Sequence, residues 1–430
     1  MSSATLHTDK LSIFEAPFWY YGTGTLRQHG GIVVKLDAAP DPQQVADRVA
    51  GTLDWCTRLT SRIEDPGGQF STPYYAPDTN FDLDNHFRHI SAPGDGTLDS
   101  FNRYFSGTFH QPFDPARPQW DATYIDGVDG GSILALRAHH CMIDALCGIE
   151  WLRAMSDQSM SFDEARQKMR QSPARARAER SKPEDLGGSE GKANTSDSTW
   201  KAILRPNDPL WPQPIGPDRF TALASLPLAD IKEIRGATKT STAAVFQTLM
   251  SYALEQLIVD LPDEVTVSMP LSVRHLFQQV HPLDLSSRQI SSPLNLPLSA
   301  KPPLARLAAI QERVVSVRLH RKQLLHTAKL ARKAPRKLIL AATKHKMSRS
   351  NFISSICTGP RDQFSIAGAN LTGIGLYTGL VPFNPLAIGA ITIGDELAMG
   401  ITADPTVIPQ AIDLPKMLSE ALDRLLVATR

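Results

Sequence analysis

The stretch that decides the fold is 132-SILALRAHHCMIDALCG-148, in which an apolar run leads into two adjacent histidines and, four residues beyond the second, an aspartate. Residues 132–138 are short, apolar and preceded by Gly130 and Gly131, which predicts a buried strand. Residues 143–155 carry apolar side chains at helical spacing, which predicts a helix. The two histidines are therefore expected where a strand ends and a helix begins.

The histidine pair suits acid–base chemistry. Neighbouring strand residues point to opposite faces, so His139 and His140 cannot easily serve the same reacting atom. A neutral imidazole, with an ordinary pKa of about 6.5, can take a proton from a hydroxyl or an amine that attacks a carbonyl. We interpret His140 as a general base, Asp144 as the residue that fixes its orientation, and His139 as a packed or hydrogen-bonded neighbour. The competing interpretation is a core histidine pair without a chemical role.

Two other chemistries compete for the same residues. His140 and Asp144 lie four apart and could share a helical face as zinc ligands, but a third ligand at motif spacing is missing. Cys141 could be a nucleophile, but adjacent strand residues point away from each other, which leaves His140 poorly placed to activate it. We therefore expect no metal and no cysteine nucleophile.

The composition bounds the class of protein. The chain has 430 residues, is 42% hydrophobic and carries a formal net charge of +1, which allows two or three ordinary domains and argues against nucleic-acid binding. Its four cysteines are dispersed, as in a cytoplasmic protein with reduced thiols. The first ten residues lack a signal-peptide core, and no run approaches the ~18 apolar residues of a membrane span.

The pattern along the chain predicts an N-terminal lobe over 1–165, a polar flexible linker over 166–200 and a C-terminal lobe over 201–430. The linker is assigned because apolar residues almost vanish there, so it cannot bury enough surface to order itself. Helices are predicted at 43–56, 228–236, 242–259 and 414–428. Strands are predicted at 264–270, 364–367, 373–377, 390–393 and 397–401.

One charge feature departs from the average. Residues 313–349 contain twelve Lys or Arg and no Asp or Glu, with leucines in a broadly helical pattern. A basic amphipathic helix can lie on an anionic membrane surface or contact an acidic partner, and it could also bind the phosphates of a coenzyme. A solvated helical face whose apolar stripe lies in the core would give the same pattern. The cation-rich segment alone does not choose among these.

Several segments outside the histidine motif occur in a recognisable order: LSIFEAPF at 11–18, FDLDNH at 81–86, PFDPARPQWD at 112–121, MPLSVR at 269–274 and ITAD at 401–404. Together with the motif they resemble the HHxxxD acyltransferase superfamily, which includes chloramphenicol acetyltransferases, condensation domains and bacterial wax ester synthase/diacylglycerol acyltransferases. The last group fits best. The sequence departs from it at Ala145 (usually Gly), Gln119 (usually Leu), Thr242-Ala243 (usually Asn-Asp) and 355–360, which puts the usual acceptor in doubt.

The resemblance implies an α/β fold of two chloramphenicol acetyltransferase-like lobes, each a mixed sheet with helices, with a tunnel at their interface and His140 near its middle. It implies an O-acyltransferase that moves an acyl group from acyl-CoA to an alcohol without a bound cofactor. His140 and Asp144 would be catalytic. The supporting residues would be His139, Gly148, Ser272 and one of the arginines Arg62 and Arg274, either of which could pair with Asp144. The cofactor-binding residues and the oxyanion donor are unassigned.

Two alternatives remain open at this stage. The chain could be a natural-product condensation enzyme that takes its acyl group from an acyl carrier protein and acylates an amine or a sugar. It could instead be a catalytically inactive binding homologue. Segment 313–349 would suit an acidic carrier protein, CoA or a peripheral membrane contact. The acyl length, the acceptor and the oligomeric state do not follow from the sequence.

Overall fold

A large sheet joins the two halves of the chain. The structure, a computed structural model, describes residues 9–22, 24–171, 209–274, 283–298, 302–319, 334–360 and 363–430. Within these residues, twelve strands form one sheet and three short strands form a second, in the order β1-β4-β3. The strands are β1 Asp9–Lys10, β2 His29–Leu36, β3 Ser61–Glu64, β4 Tyr74–Pro77, β5 Phe87–Ser91, β6 Trp120–Val128, β7 Gly131–His139, β8 Phe220–Pro227, β9 Glu264–Ser272, β10 Gln289–Pro297, β11 Phe352–Thr358, β12 Ser365–Ile366, β13 Ala369–Thr378, β14 Leu386–Ile393 and β15 Glu396–Ala403.

Helices cover the sheet in both halves. They are α1 Ala16–Tyr21, α2 Pro42–Ala50, α3 Leu98–Thr108, α4 Ala145–Met155, α5 Phe162–Gln171, α6 Leu228–Thr238, α7 Thr242–Leu257, α8 Pro303–Leu319, α9 Arg336–Met347 and α10 Leu414–Thr429. Short 3-10 helices lie at Leu53–Trp55, Thr57–Thr60, Leu83–Asn85 and Pro409–Asp413. Among the described helices, none combines the length and the apolar character needed to cross a bilayer.

Each half contributes a mixed set of strands, as expected for the two-lobed class. In the N-terminal half β5 pairs parallel to β6, while β6, β7 and β2 are antiparallel. In the C-terminal half β9, β11 and β14 pair in parallel, and β10, β15 and β8 extend them antiparallel. Strand β13 comes from the C-terminal half but pairs along β2, from Leu371↔Leu36 to Thr378↔Gly30. A single register pair, Leu376↔Gly389, joins β13 to β14.

The described residues form two large hydrophobic cores, one in the C-terminal half and one that spans both halves. The C-terminal core surrounds α7, in which fourteen of sixteen residues are buried, and this helix packs against α8 and α10. The second core joins β2, β7 and α4, includes Trp120 and Trp151, and also contains C-terminal residues such as Leu376 and Ile391. Burial of apolar surface contributes about 25 cal/mol per Å², so the core shared by both halves helps to hold them together.

Most predicted elements are confirmed, with differences at their ends. The buried strand at 132–138 is β7, and the helices at 228–236, 242–259 and 414–428 are α6, α7 and α10. The helix predicted from 143 begins at Ala145, because Asp144 is its N-cap and accepts a hydrogen bond from the backbone N–H of Cys147. The helix predicted at 43–56 ends at Ala50, before Gly51.

The remaining strand predictions also need adjustment. The strands expected at 264–270, 373–377, 390–393 and 397–401 lie within the longer β9, β13, β14 and β15, while 364–367 contributes only the two-residue β12. The first residues of the predicted linker belong to α5, and 172–208 lie outside the described residues. The lobe boundaries therefore stay predictions. In the basic segment, α8 and α9 are helical at either end, and 320–333 lie outside the described residues.

Candidate active site

A cavity of about 1240 Å³ lies between the two halves, and both His140 and Asp144 are on its wall. Apolar side chains from both halves share that wall, among them Phe14, Phe18, Ile32, Ile290, Ile353 and Leu376. The interface cavity implied by the resemblance is therefore present. An apolar wall around a few polar groups is typical of a small-molecule site.

The end of β7 and helix α1 fix the His140 ring. The backbone N–H of His140 donates to the carbonyl of Gln28 at 2.7 Å, and the imidazole stacks on Phe18 with ring centroids 4.3 Å apart and planes 14° apart. The Nδ1 atom is fully buried. The Nε2 atom lies 3.5 Å from the side-chain nitrogen of Gln289, another residue of the cavity wall. Nε2 is therefore the ring nitrogen that a bound molecule can reach.

The surroundings keep His140 neutral. Burial lowers the pKa of His140 below its ordinary value, and this effect outweighs the opposing influence of backbone groups and of the Asp144 charge. A neutral imidazole has one free lone pair, so it can accept a proton at neutral pH. With Nδ1 buried, the tautomer that serves the cavity carries its proton on Nδ1.

His139 is the last residue of β7, and its ring has surroundings different from those of His140. Its Nδ1 is 3.1 Å from the Sγ of Cys141, and its ring packs against Trp19 with centroids 5.3 Å apart. Burial, with a smaller contribution from His140, lowers the pKa of His139 to about 3. Among the described residues, the cavity wall includes His140 and not His139.

Asp144 connects the two halves beside the histidine. Its Oδ1 accepts from the Cys147 backbone at 3.0 Å and from Nε of Arg274 at 3.1 Å, and its Oδ2 accepts from the Arg288 backbone at 2.8 Å. Burial would raise the pKa of Asp144, but the Arg274 charge and these hydrogen bonds hold it below its ordinary value. Asp144 is therefore an ionised structural anchor that ties helix α4 to the start of β10.

The arginine that pairs with Asp144 is Arg274. Its guanidinium also donates to the carbonyl of Asp284 at 3.0 Å and to the carbonyl of Ser286, and the Asp144 charge helps to raise its pKa despite burial. Arg62 lies elsewhere: it pairs with Glu64 at 2.7 Å and is partly exposed. Of the two candidates, Arg62 is therefore not the partner of Asp144, because its strand β3 belongs to the small separate sheet.

Gly148 and Ser272 contact the protein backbone and side chains around the site, away from the cavity. A Cβ at Gly148 would lie 2.1 Å from Cδ1 of Ile32, so only glycine lets α4 approach β2 this closely. The Ser272 hydroxyl accepts from the Arg274 backbone at 3.3 Å. Neither residue is part of the described cavity wall. Both support the elements that hold His140 and Asp144.

The cysteines are buried as thiols. Burial raises the pKa of Cys141 far above its ordinary value and raises that of Cys147 to about 12, so neither is a ready thiolate at neutral pH. The described part of the chain contains no group of three or more His, Cys, Asp or Glu side chains arranged for a metal ion.

Sequence reasoning missed three features of the site. Phe18 stacks on the base, the Arg288 backbone binds Asp144, and Gln289 faces Nε2 of His140. Phe18 belongs to the LSIFEAPF segment at 11–18, but nothing in the local sequence indicates that it contacts His140. Gln289 is polar at the start of a strand, which is an ordinary pattern. The pairing of the two halves, rather than any local signal, brings these residues together.

Helix α9 adds positive charge to the cavity. His345, Lys346 and Arg349 line it near the C-terminal end of α9, and Lys346 has no ion-pair partner among the described residues. Lys346 is accessible through the cavity, yet the protein around it lowers its pKa to about 8 by desolvation. Asp144 is the one acidic side chain on the described wall, and Arg274 already neutralises it. The cavity therefore favours an anionic guest.

Two mixed lobes with a neutral imidazole in the cavity between them define the class of two-lobed acyltransferase-like proteins. The family model of the wax ester synthase/diacylglycerol acyltransferase catalytic domain matches residues 11–199, and that of the C-terminal domain of the same family matches residues 290–426. The chain belongs to this family, which confirms the resemblance.

Individual relatives agree with that assignment. A probable diacylglycerol O-acyltransferase of Mycobacterium tuberculosis is 23% identical over 433 residues, which cover 93% of this chain and 91% of the relative. A wax ester synthase/diacylglycerol acyltransferase from Marinobacter aquaeolei VT8 superposes with a TM-score of 0.69 at 16% identity, covering 98% and 99% of the two chains. The starter condensation domain of rhizomide synthetase, solved with C8-CoA, gives a TM-score of 0.61 at 13% identity, covering 98% and 95%. These structural matches confirm the two-lobed fold.

Proposed function

We propose that this chain transfers an acyl group from an acyl thioester to an alcohol in the cavity between its halves, with Nε2 of His140 as the general base. The observation that carries the proposal is a neutral, buried imidazole whose reachable nitrogen faces an otherwise largely apolar cavity. The family assignment supports O-acyl transfer over the inactive binding homologue. The apolar wall suits the alkyl part of an acyl chain.

The reaction needs one base and no covalent enzyme intermediate. The alcohol oxygen attacks the thioester carbonyl carbon while its proton passes to Nε2 of His140. The resulting tetrahedral adduct collapses, the carbon–sulfur bond breaks, and the proton on Nε2 passes to the departing sulfur. The products are an ester and a free thiol, and His140 returns to its neutral form.

The donor is proposed to be acyl-CoA. Lys346 and the nearby Arg349 suit its phosphates, and a structural neighbour, a starter condensation domain solved with C8-CoA, supports a CoA thioester in this fold. A carrier-protein thioester presents a phosphate of the same chemistry through its prosthetic arm. Transfer from acyl-CoA and from an acylated carrier protein, measured at equal donor concentration, separates the two. Peripheral membrane contact by 313–349 and a cytoplasmic location stay predictions.

The experiment that tests the proposal is replacement of the base. His140→Ala is expected to lower turnover by ~100- to 10,000-fold, the range typical of a lost general base. The assay follows free thiol released from acyl-CoA with and without a panel of alcohols. The matched control is His89→Ala, which removes a half-exposed histidine paired with Asp126 away from the cavity.

Folding must be checked in the same preparations. The His140→Ala variant should still unfold cooperatively, at a somewhat lower temperature than the parent, because the buried ring and its stacking on Phe18 are lost. Near-normal turnover in a folded His140→Ala protein would contradict the assignment of the base. Absence of alcohol-dependent thiol release in the parent, with every alcohol and both donors, would favour the inactive binding homologue.

A further inference from the structure

The side chain of Gln289 stands directly opposite the proposed base. Its amide nitrogen is 3.5 Å from Nε2 of His140, at the outer limit of a hydrogen bond. Gln289 is half-buried on the cavity wall, and its side chain has no other hydrogen bond among the described residues. The amide N–H of Gln289 is therefore available as a donor at the place where the reacting atoms would meet.

The position of Gln289 is enforced from the other half of the chain. Its neighbour Arg288 donates its backbone N–H to Oδ2 of Asp144 at 2.8 Å, and Asp144 caps the helix that follows His140. Gln289 itself pairs with Ser272 at the start of the β10–β9 ladder. One carboxylate thus caps the helix that follows His140 on one side and holds the strand that carries the amide on the other. Such preorganisation is what a transition-state donor needs.

The geometry of the reaction places the developing negative charge near this amide. In the tetrahedral adduct the former alcohol oxygen, which faces Nε2, and the negatively charged former carbonyl oxygen are bonded to the same carbon. The negative oxygen consequently forms within reach of a group that already stands beside Nε2. A neutral amide N–H can stabilise it without adding a fixed charge next to the base.

We infer that Gln289 is the oxyanion donor of this site, an inference that rests on the proposed acyl transfer. Before reaction the Gln289 N–H points toward the lone pair of Nε2. The alcohol oxygen bonds to the carbonyl carbon and gives its proton to Nε2, while the carbonyl π electrons move to the carbonyl oxygen. That negative oxygen then accepts a hydrogen bond from the amide N–H of Gln289. Collapse restores the carbonyl, breaks the carbon–sulfur bond and returns the proton to sulfur.

The test replaces the amide by an apolar group of similar size. Gln289→Leu should lower kcat by roughly 100- to 1000-fold, the range seen when one oxyanion donor is removed. The KM values for acyl-CoA and for the alcohol should change less than about threefold, because the contact forms in the transition state. Gln289→Asn keeps an amide one carbon shorter and should recover part of the activity. Gln44→Leu, on the exposed face of α2, is the matched control.

A pH profile separates oxyanion donation from an effect transmitted through His140. Loss of an N–H donated to a neutral imidazole raises its pKa, so a residue that acted only on the base would regain activity at higher pH. The kcat of Gln289→Leu is expected to stay low at every pH. Recovery at high pH, an unchanged kcat, or a loss confined to KM would overturn the inference. If His140→Ala is inactive while Gln289→Leu is active, only this inference fails; if both are active, the proposed function fails.

Discussion

Two regions beside the cavity differ in how their charges are paired. At the Asp144 junction, formed by Asp144, Arg274, Asp284 and Arg288, opposite charges lie within 3.3 Å of one another. At the α9 wall, formed by His345, Lys346 and Arg349, Lys346 has no acidic partner among the described residues.

The difference indicates two kinds of function. A buried charge without a partner is costly, so the paired groups of the Asp144 junction serve the protein's own architecture. A cation that faces a cavity without a partner is ready for an anion from outside. The junction should therefore control folding and alignment, and the α9 wall should control affinity for the donor.

The largest effect should follow removal of the shared carboxylate. Asp144→Ala removes the closer of the two carboxylates that pair with buried Arg274, and also the cap of α4, so the free energy of unfolding should fall by ~3–5 kcal/mol. Urea unfolding and turnover are measured on the same protein. The control Asp99→Ala removes an acid in the first turn of α3. A loss no larger than that of the control would show that the junction does not hold the halves together.

Substitution of the two candidate arginines, Arg274 and Arg62, should change stability by smaller and unequal amounts. Arg274→Lys keeps the charge but cannot make all the bonds to Asp144, Asp284 and Ser286, so stability should fall by ~1–3 kcal/mol with a parallel drop in kcat. Arg62→Lys should change stability by less than ~0.5 kcal/mol, since its partner Glu64 is also partly exposed. Equal effects in the two variants would contradict the assignment of Arg274.

The sequence was sufficient for what depends on local pattern. Apolar runs and caps predict β7 and α4, and β7 ends at His139, so that His140 stands just beyond the strand. The collinear motifs predict the family and the two-lobed fold. These features survive because one buried strand and one capped helix already determine where the histidines stand.

What the sequence could not provide depends on contacts between distant segments. Arg62 and Arg274 are equally plausible partners of Asp144 until the sheet topology places Arg62 in the small sheet. The crossing of β13 to β2 has no local signature, because a strand pattern does not specify its neighbour. The same reason hides Gln289, which becomes significant only where β10 faces β7 across the cavity.

Two lysines on α9 test whether the α9 wall makes a specific contact with the donor. Lys346 lines the cavity, whereas Lys344 is exposed two residues earlier and does not. A hydrogen bond to a charged group contributes ~1.5–3 kcal/mol, so Lys346→Gln should raise the KM for acyl-CoA about tenfold or more, with little change in kcat. Lys344→Gln should leave both constants nearly unchanged. A similar rise in both variants would indicate a general field of α9 instead of a specific contact.

The smallest effect should appear as a pH dependence of donor affinity. Lys346 has a pKa of about 8, so its positive charge is present below that pH and is lost as the pH rises through it. His140, whose pKa is lowered, is already neutral over this range, and kcat should therefore hold steady while the KM for acyl-CoA rises a few-fold. Lys346→Gln should abolish the rise, because the titrating group is gone. A KM that climbs equally in the parent and in this variant would assign the titration to another group and remove Lys346 from the donor site.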